Sequence, residues 1–378
     1  MREGWEYKRL GELCDIVMGQ SPMGNSINEN NGIEFHQGKT NFGDKFLMES
    51  GIYTTSPIRI AEKKTILLCV RAPVGIINIT ERQVCIGRGL SSLKPRLGLE
   101  LLYLYYCLLS KQNYFESNST GSTFKAISSK VINNTIIQFP PKSTQLSIVS
   151  ELDKLNELIR IKKEQLKDYD TLAQSIFYEM FGDPVVNEKG WEVKTFGECF
   201  SIGAGGTPST KVKEYWDNGT IPWIGSNMCQ NCIITETDGK FITEEGLTHS
   251  STKLLAPGTV LVALVGATIG KVGLLRIETC TNQNVAFIKV QKTETFTSEF
   301  VYYHLMGLYG EFMKIGQGNF KMANQGFIKL LPIPLPPLPL QQSFAQKIEQ
   351  IEQQKAAIQK TITDLETLLA ARMQYWFD

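Results

Sequence analysis

Two long heptad patterns constrain this chain more than any other feature of its sequence. From Gln145 to Met180 most a and d positions are apolar, and the residues between them are mostly charged or polar. The same pattern returns 196 residues later, from Gln341 to Trp376. Each pattern predicts a helix of about 54 Å carrying the seam of a coiled coil. The predicted seam residues are Leu152, Leu155, Ile159, Leu166, Ile348, Ile351, Ile358, Ile362 and Leu365.

The segments that precede the two patterns also repeat. Gly4-Trp5-Glu6 returns as Gly190-Trp191-Glu192, and residues 71–75, 121–125 and 139–141 have counterparts at 266–270, 316–321 and 335–337. A repeat of this length indicates a duplicated unit of one domain followed by one helix. We therefore predict globular domains at 1–143 and 183–339, with coiled-coil helices at 144–182 and 340–378.

Within each globular half the residue patterns favour an α+β fold. An opening strand is predicted at 5–10 and again at 191–196. β-Branched runs follow at 65–70 with 76–80, and at 259–265 with 272–277. Helices are expected at 100–111 and 298–308. A last strand ends in Pro-Pro before each long helix, because proline suits the entry of a helix better than its interior.

The short connection from 181 to 190 suggests how the long helices are paired. It places the second half beside the far end of the first helix, and this predicts an antiparallel coiled coil. We expect a pseudo-twofold arrangement of two similar globular domains separated by the two helices. A parallel or an intermolecular pairing stays open at this stage.

Charge and hydropathy describe an ordinary soluble chain. The formal net charge is +1, although residues 1–143 carry 17 Lys and Arg against 12 Asp and Glu. No apolar run is long enough for a transmembrane helix, and the N-terminus lacks the apolar segment of a signal peptide. We therefore expect a cytoplasmic protein whose eight cysteines are reduced.

Motifs for chemistry are incomplete throughout. Residues 266–272 resemble a phosphate-binding loop but are one residue short, and Val272 stands where a hydroxyl should bind Mg²⁺, so a tight turn is favoured. Cys229 and Cys232 have half the spacing of a zinc site, with His249 as the one nearby partner. We predict two reduced thiols and no metal. No nucleophile, methyltransferase or nuclease pattern stands out, and no catalytic residue is predicted.

Polar turns occupy similar places in both halves. Amide side chains can pair with adenine in the major groove, and Arg and Lys favour guanine or phosphate. These turns are candidates for DNA contact, with ordinary solvated loops as the alternative. The candidate DNA-binding residues are Gln20, Ser21, Gln37, Lys39, Asn41, Arg71, Arg88, Lys125, Thr207, Ser209, Trp223, Ser226, Asn227, Gln283, Asn284, Asn319 and Lys321.

The order of these motifs resembles a known family. The match rests on the twin Gly-Trp-Glu openings, on residues 206–209, 214–216 and 221–224, on 71–75 and 86–90, and on the Pro-Pro segments. In this order, with a coiled coil after each copy, they are similar to the specificity subunit (HsdS) of type I restriction-modification systems. The resemblance extends over essentially the whole chain.

The resemblance implies two target-recognition domains, each reading one half of a bipartite, asymmetric site in double-stranded DNA. The helices would set the gap between the half-sites and bind two methyltransferase subunits, and restriction subunits would join this core. S-adenosylmethionine, ATP and Mg²⁺ would be bound by those partners, and this chain would need no cofactor. A coiled-coil adaptor without a DNA role and a stand-alone nuclease remain as alternatives.

Overall fold

The computed structural model describes residues 4–121, 125–290, 294–315 and 322–378. The chain divides into two compact units. Unit 1 contains Met1–Lys163 and Lys360–Asp378, and unit 2 contains Glu164–Gln359. Each long helix therefore contributes residues to both units. The domain boundaries drawn from the sequence, which give the helices segments of their own, stay a prediction.

Unit 1 contains eleven described strands in a four-stranded sheet, a five-stranded sheet and a two-stranded pair. The strands are β1 Glu6–Arg9, β2 Cys14–Met18, β3 Ile27–Asn28, β4 Ile33–His36, β5 Tyr53–Thr54, β6 Ile60–Ala61, β7 Thr65–Cys69, β8 Ile77–Thr80, β9 Val84–Ile86, β10 Leu90–Pro95 and β11 Ile136–Phe139. The helices are α1 Leu10–Leu13, α2 Leu101–Ser110, α3 Gln112–Ser117, α4 Ser129–Asn134 and α5 Lys142–Phe181. The sheet orders are β2-β10-β7-β8, β3-β5-β4-β9-β6 and the pair β1-β11.

Unit 2 repeats this plan. Its described strands are β12 Val193–Thr195, β13 Ser201–Ala204, β14 Ile221–Ile224, β15 Cys232–Ile234, β16 Phe241–Ile242, β17 Val260–Ala263, β18 Val272–Leu275, β19 Cys280–Thr281, β20 Val285–Lys289 and β21 Pro332–Pro334. Its helices are α6 Phe196–Cys199, α7 Glu244–Thr248, α8 Ser298–Gly307, α9 Tyr309–Met313, α10 Gln325–Leu330 and α11 Leu338–Phe377. The sheet orders are β13-β20-β17-β18-β15, β16-β14-β19 and the pair β12-β21.

The duplication predicted from the sequence is confirmed by these topologies. The order β2-β10-β7-β8 matches β13-β20-β17-β18, and each unit pairs its first strand with its last. The two Gly-Trp-Glu openings also behave alike. Trp5 stacks on Trp376 near the end of α11, with ring centroids 6.2 Å apart. The indole of Trp191 donates to the carbonyl of Phe181, the last residue of α5, at 3.0 Å.

The α+β class and the long helices are also confirmed. The β7–β8 and β17–β18 pairs are antiparallel hairpins where β-branched runs were predicted. A short 3₁₀ turn at 266–268 joins β17 to β18, so the segment that resembles a phosphate-binding loop is a tight turn. The Gly-rich segment 203–208, which the residue types favour as a turn, begins as strand, because Gly203 and Ala204 pair with β20.

Each unit shows the long helices running antiparallel. In unit 1, Glu151 of α5 accepts hydrogen bonds from Arg372 and Trp376 of α11. Twelve residues along α5, Lys163 pairs with Glu366, which lies earlier in α11. In unit 2, Lys355 forms a salt bridge of 2.8 Å with Asp170. Further along α5 the ring of Phe177 lies 5.5 Å from that of Phe344, which is earlier in α11.

The predicted seam residues face these contacts. Six of the nine are buried and three are half-buried, as expected for side chains that pack between helices and against a domain. The buried ones are Leu152, Ile159, Ile348, Ile351, Ile358 and Ile362. The half-buried ones are Leu155, Leu166 and Leu365.

Candidate nucleic-acid interface

In unit 1 the candidate residues of four separate segments lie around one glycine turn. The backbone N–H of Gln20 donates to Ile86 at 2.9 Å, and that of Gly87 donates to His36 at 2.8 Å. Ser21 Oγ lies 3.5 Å from the N–H of Arg88. Side chains at Gly19 and Gly89 would collide with backbone carbonyls at 2.2 Å. The close approach requires glycine, because any Cβ would separate the loops.

Arg71 and Lys125 join the same surface from another side. Arg71 forms a bridge with Ala126, and the N–H of Ala72 donates to Lys125 at 3.1 Å. Val70 donates to Gly89 at 2.9 Å, which ties this segment to the glycine turn. The structure thus brings together residues that are up to 105 positions apart in the sequence.

The resulting surface of unit 1 is cationic. Lys39, Arg71, Arg88 and Lys125 are all exposed, and none of the four forms a salt bridge with another described residue. Gln20 and Gln37 are exposed beside them, whereas Ser21 and Asn41 are half-buried. Exposed cations beside exposed amides suit contact with phosphates and base edges.

An ion pair between buried Glu34 and half-buried Arg82 holds the loop that carries Gln37, Lys39 and Asn41. Arg82 binds Glu34 through Nε at 2.5 Å and through Nη2 at 2.8 Å. The same guanidinium donates to the carbonyls of Leu47 and Met48, each at 3.0 Å. These charge-assisted hydrogen bonds fix the second half of the loop, at Leu47 and Met48, against β4.

The electrostatics of this ion pair follow from its hydrogen bonds. Burial alone would raise the pKa of Glu34, but the hydrogen bonds from Arg82 and from the Ser50 N–H lower the pKa to about 2. Burial lowers the pKa of His36, although Glu34 at 2.9 Å opposes that shift. Glu34 is therefore charged and His36 neutral at neutral pH.

In unit 2 a different set of side chains meets around residues 205–209. The indole N–H of Trp223 donates to Gly206 at 2.9 Å, and that of Trp216 donates to Ser209 at 3.2 Å. Thr207 donates from its hydroxyl to Gln283 at 2.5 Å. Trp223 is only 7% exposed and its one donor is used, so it holds the loop and has no hydrogen bond left for a base.

The remaining candidates of unit 2 lie next to this loop. Ser226 and Asn227 form a 3₁₀ turn, and Asn282 donates from its backbone to Ile224 just before that turn. Asn284 is half-buried and accepts from Leu264 through its carbonyl. The candidates Asn319 and Lys321 lie outside the described residues. The described candidates of unit 2 are uncharged polar or aromatic side chains, whereas those of unit 1 include four cations. Exposed Lys213 and Lys240 nevertheless line the same hollow as Thr207 and Trp223.

The possible zinc ligands are in an environment that suits thiols. Cys229 is fully buried in an apolar cluster with Ile224 and Ile234, and burial raises the pKa of its thiol. A raised pKa disfavours the thiolate that binds metal. Within the described part of the chain, no group of three or more His, Cys, Asp or Glu side chains could hold a metal ion. None of the described helices is both long and apolar enough to cross a membrane.

Some residues that hold the loops or the helix starts in place have no motif in the sequence. The Glu34–Arg82 pair spans 48 positions, and Gln145 and Gln341 occur in the heptad pattern as mere polar exceptions. The equal spacing of the two glutamines from their Pro-Pro segments is the one sequence signal that could have found them.

Comparison with known proteins agrees with this architecture. A family model described as "Type I restriction modification DNA specificity domain" matches residues 2–168 and again 188–367. Two relatives come from Methanocaldococcus jannaschii. The putative type I restriction enzyme MjaX specificity subunit is 34% identical over 46% of this chain and 42% of its own length. The MjaIX specificity subunit is 26% identical over 70% of this chain and 67% of its own length.

Solved structures share the fold. The S subunit of a type I restriction-modification system from M. genitalium aligns over 99% of this chain and 96% of its own, with a TM-score of 0.58 and 17% identity. A chain from a type I R-M system studied for complex assembly and conformational transition aligns over 99% and 97%, with a TM-score of 0.66 and 19% identity. The family model matches most of the chain in two copies, and this chain therefore belongs to the family of type I restriction-modification DNA specificity domains.

Proposed function

We propose that this chain is the DNA-specificity subunit of a type I restriction-modification complex and reads a bipartite, asymmetric site. Each unit would read one half-site with its own loop surface. The observation that carries this proposal is the pairing of one repeated frame with two chemically different surfaces. One order of four strands and the pairing of the first strand with the last repeat in both units. The described candidates of unit 1 include four exposed cations, whereas those of unit 2 are uncharged.

The contacts proposed for each half-site follow from these surfaces. In unit 1, Gln20 and Gln37 would contact base edges while Lys39, Arg71, Arg88 and Lys125 contact phosphate or guanine. In unit 2, Thr207, Ser209, Asn227 and Gln283 would make the polar contacts. Trp223 supports the loop from below. Two units with unlike side chains account for two unlike half-sites.

The subunit would carry specificity and leave chemistry to its partners. The relatives are named as specificity subunits, and the family model describes a DNA specificity domain. Two methyltransferase subunits and the restriction subunits would bind along the helix pair. S-adenosylmethionine, ATP and Mg²⁺ would be bound on those subunits, and the complex would work in the cytoplasm. The helices would fix the spacing between half-sites.

A methylation map tests the proposal directly. The full chain is expressed with its methyltransferase partner in a host without other methyltransferases, and methylated positions are mapped over the genome. We expect one sequence made of two short specific parts separated by a fixed gap. Methylation at a continuous site, or the same methylation without this chain, would contradict the proposal.

A further inference from the structure

One lysine of the unit 1 recognition loop reaches the long helix α5. Lys45 lies between β4 and β5, in the loop that also carries Gln37, Lys39 and Asn41. Its Nζ atom forms a salt bridge of 2.6 Å with Oδ1 of Asp153 on α5. The lysine and aspartate side chains are 24% and 37% exposed, so the pair is only partly open to water.

The aspartate is itself held by a second element. Tyr106 of α2 donates its hydroxyl to the same Oδ1 atom at 2.5 Å, and Asn156 donates to the Tyr106 hydroxyl at 3.2 Å. The Lys45 ammonium also lies 5.0 Å from the Tyr106 ring centroid. Lys45 therefore contacts a preformed cluster of α2 and α5, which reduces the entropy lost on forming the pair.

Hydrogen bonds within the loop tie the residues that follow Lys45 to Asn41, one of the residues proposed to read DNA. Phe42 bridges Leu47 across the tip of the loop, and Met48 donates to the carbonyl of Asn41 at 2.9 Å. The Asn41 amide in turn donates to the carbonyl of Glu49 at 3.2 Å. The Lys45 carbonyl accepts from the Ile79 N–H at 3.0 Å, so Lys45 joins this closed loop to β8 through its backbone and to α5 through its side chain.

Unit 2 uses the corresponding positions differently. A shift of 196 residues takes Asp153 to Glu349 and Asn156 to Glu352. Glu352 forms a salt bridge of 3.1 Å with Lys355 of its own helix, and Lys355 also pairs with Asp170. These charges serve the helix pair, whereas the charges in unit 1 connect a helix to a loop.

We propose that Asp153 is a positioning residue for the unit 1 recognition loop and thereby determines the base preference of one half-site. This proposal rests on the proposed DNA-reading function. It gives the long helix a direct part in specificity, since a side chain of α5 holds the reader in place through Lys45.

The test uses the full chain in complex with its methyltransferase partner. Initial methylation rates are measured on the cognate site and on sites with one changed base in either half. The half-site of unit 1 is the one whose preference changes in a Gln37→Ala variant. In Asp153→Asn and in Lys45→Met, we expect discrimination in that half-site to fall on the order of tenfold, with less than about twofold change in the other half.

Two further variants separate positioning from folding. Exchanging the charges, in the double variant Lys45→Asp with Asp153→Lys, should restore part of the lost discrimination. Asp170→Asn removes a salt bridge from the same helix without touching the loop, and it should leave both half-site preferences unchanged. Recovery of assembled complex is measured by size-exclusion chromatography for every variant.

The outcomes are distinct. Wild-type discrimination in Asp153→Asn and Lys45→Met would overturn the inference, as would equal losses in both half-sites. A loss shared by Asp170→Asn would also overturn it, because the effect would then come from the helix pair. A wild-type complex that methylates without sequence preference would overturn the proposed function itself.

Discussion

Two glutamines show at the scale of single residues how the repeat is built. Gln145 and Gln341 are fully buried at the starts of α5 and α11. Gln145 accepts from the Glu100 N–H at 2.9 Å and donates to the carbonyls of Gly98 and Pro140. A buried amide is tolerated only when it is hydrogen-bonded in this way.

Gln341 makes the same three contacts in unit 2. It accepts from the Thr297 N–H at 3.0 Å and donates to the carbonyls of Thr295 and Pro336. In unit 1 the amide therefore joins the start of α5 to the start of α2. In unit 2 it joins the start of α11 to the start of α8. The heptad pattern alone shows two polar residues at seam positions and gives no reason for them.

Replacing either glutamine by leucine should destabilise its unit. Gln145→Leu leaves one N–H and two carbonyls without their partner, and we expect a loss of about 2 kcal/mol in the free energy of unfolding. Urea unfolding measures this loss. The control is Gln174→Leu, at an exposed position of the same helix. Equal stabilities of the two variants would contradict the role of the buried amide.

His304 makes the stability of unit 2 depend on pH. It is fully buried, its Nε2 lies 2.8 Å from the carbonyl of Pro332, and burial lowers the pKa of its imidazole from 6.5 to about 4. The unfolded chain binds a proton between these values that the folded unit does not bind. The stabilising contribution is therefore complete above pH 6.5 and is lost as the pH falls towards 4.

The variant His304→Gln keeps a donor for Pro332 and removes the titration. Between pH 6.5 and pH 4, wild type should lose roughly 3 kcal/mol relative to this variant. Thermal unfolding at a series of pH values measures the difference. His249→Gln, which changes an exposed histidine, should keep the wild-type pH dependence. A parallel pH dependence in wild type and His304→Gln would contradict the prediction.

At the scale of elements, the long helices are where sequence and structure agree best. The heptads predicted helices at 144–182 and 340–378, and the structure has Lys142–Phe181 and Leu338–Phe377. Local pattern suffices here, because a helical seam is encoded by residues three and four apart. The hairpins could be predicted equally well from the sequence, since their β-branched runs are adjacent in it.

The contacts that shape the loops could not be predicted from the sequence in this way. Arg82 and its partner Glu34 are 48 positions apart in the sequence. Trp216 donates to the Ser209 carbonyl, seven residues away, in a segment without a regular residue pattern. The sequence makes Trp223 a candidate for DNA contact because its segment corresponds to the polar turn at residues 35–43. Only the fold reveals that its indole points inwards. Long-range partners of single polar groups leave no periodic signal in one sequence.

A charge in the helical seam should separate the helices. Ile159 and Ile362 are 7% and 2% exposed, so Ile159→Lys or Ile362→Lys buries an unpaired ammonium and removes apolar contacts. We expect a loss of about 3 kcal/mol or more in unfolding free energy. Co-purification with the methyltransferase partner should fall in parallel.

The neighbouring position supplies the control. Leu158 is 45% exposed on the same helix, and Leu158→Lys should be close to wild type in urea unfolding. Unchanged assembly and unchanged half-site spacing in Ile159→Lys would contradict a role of the helix pair in setting that spacing.

At the scale of the whole molecule, the two recognition surfaces should be independent. Alanine at Gln37, Lys39 and Asn41 together should change the base preference in one half-site, since these side chains all belong to one loop of unit 1. Alanine at Thr207 and Gln283 should change the other half-site. Methylation of DNA libraries randomised in either half measures both preferences.

A coupled result would point to a different molecule. If the unit 1 variant altered both half-sites, the units would not read DNA separately. Loss of methylation at every sequence, with the complex still assembled, would instead indicate a shared role in binding the DNA backbone.

The matched glutamines Gln145 and Gln341 have a consequence for recombination within the gene. Because Gln145 and Gln341 occupy one position in the heptad and make the same three hydrogen bonds, a recombination crossover at this point keeps the helix in phase and the joint intact. A gene rearranged there would encode a new combination of reader and helix without a misfit between them. On the proposed function, the amide joint would make the DNA-reading domains exchangeable, and one such recombination event would give the complex a new target sequence.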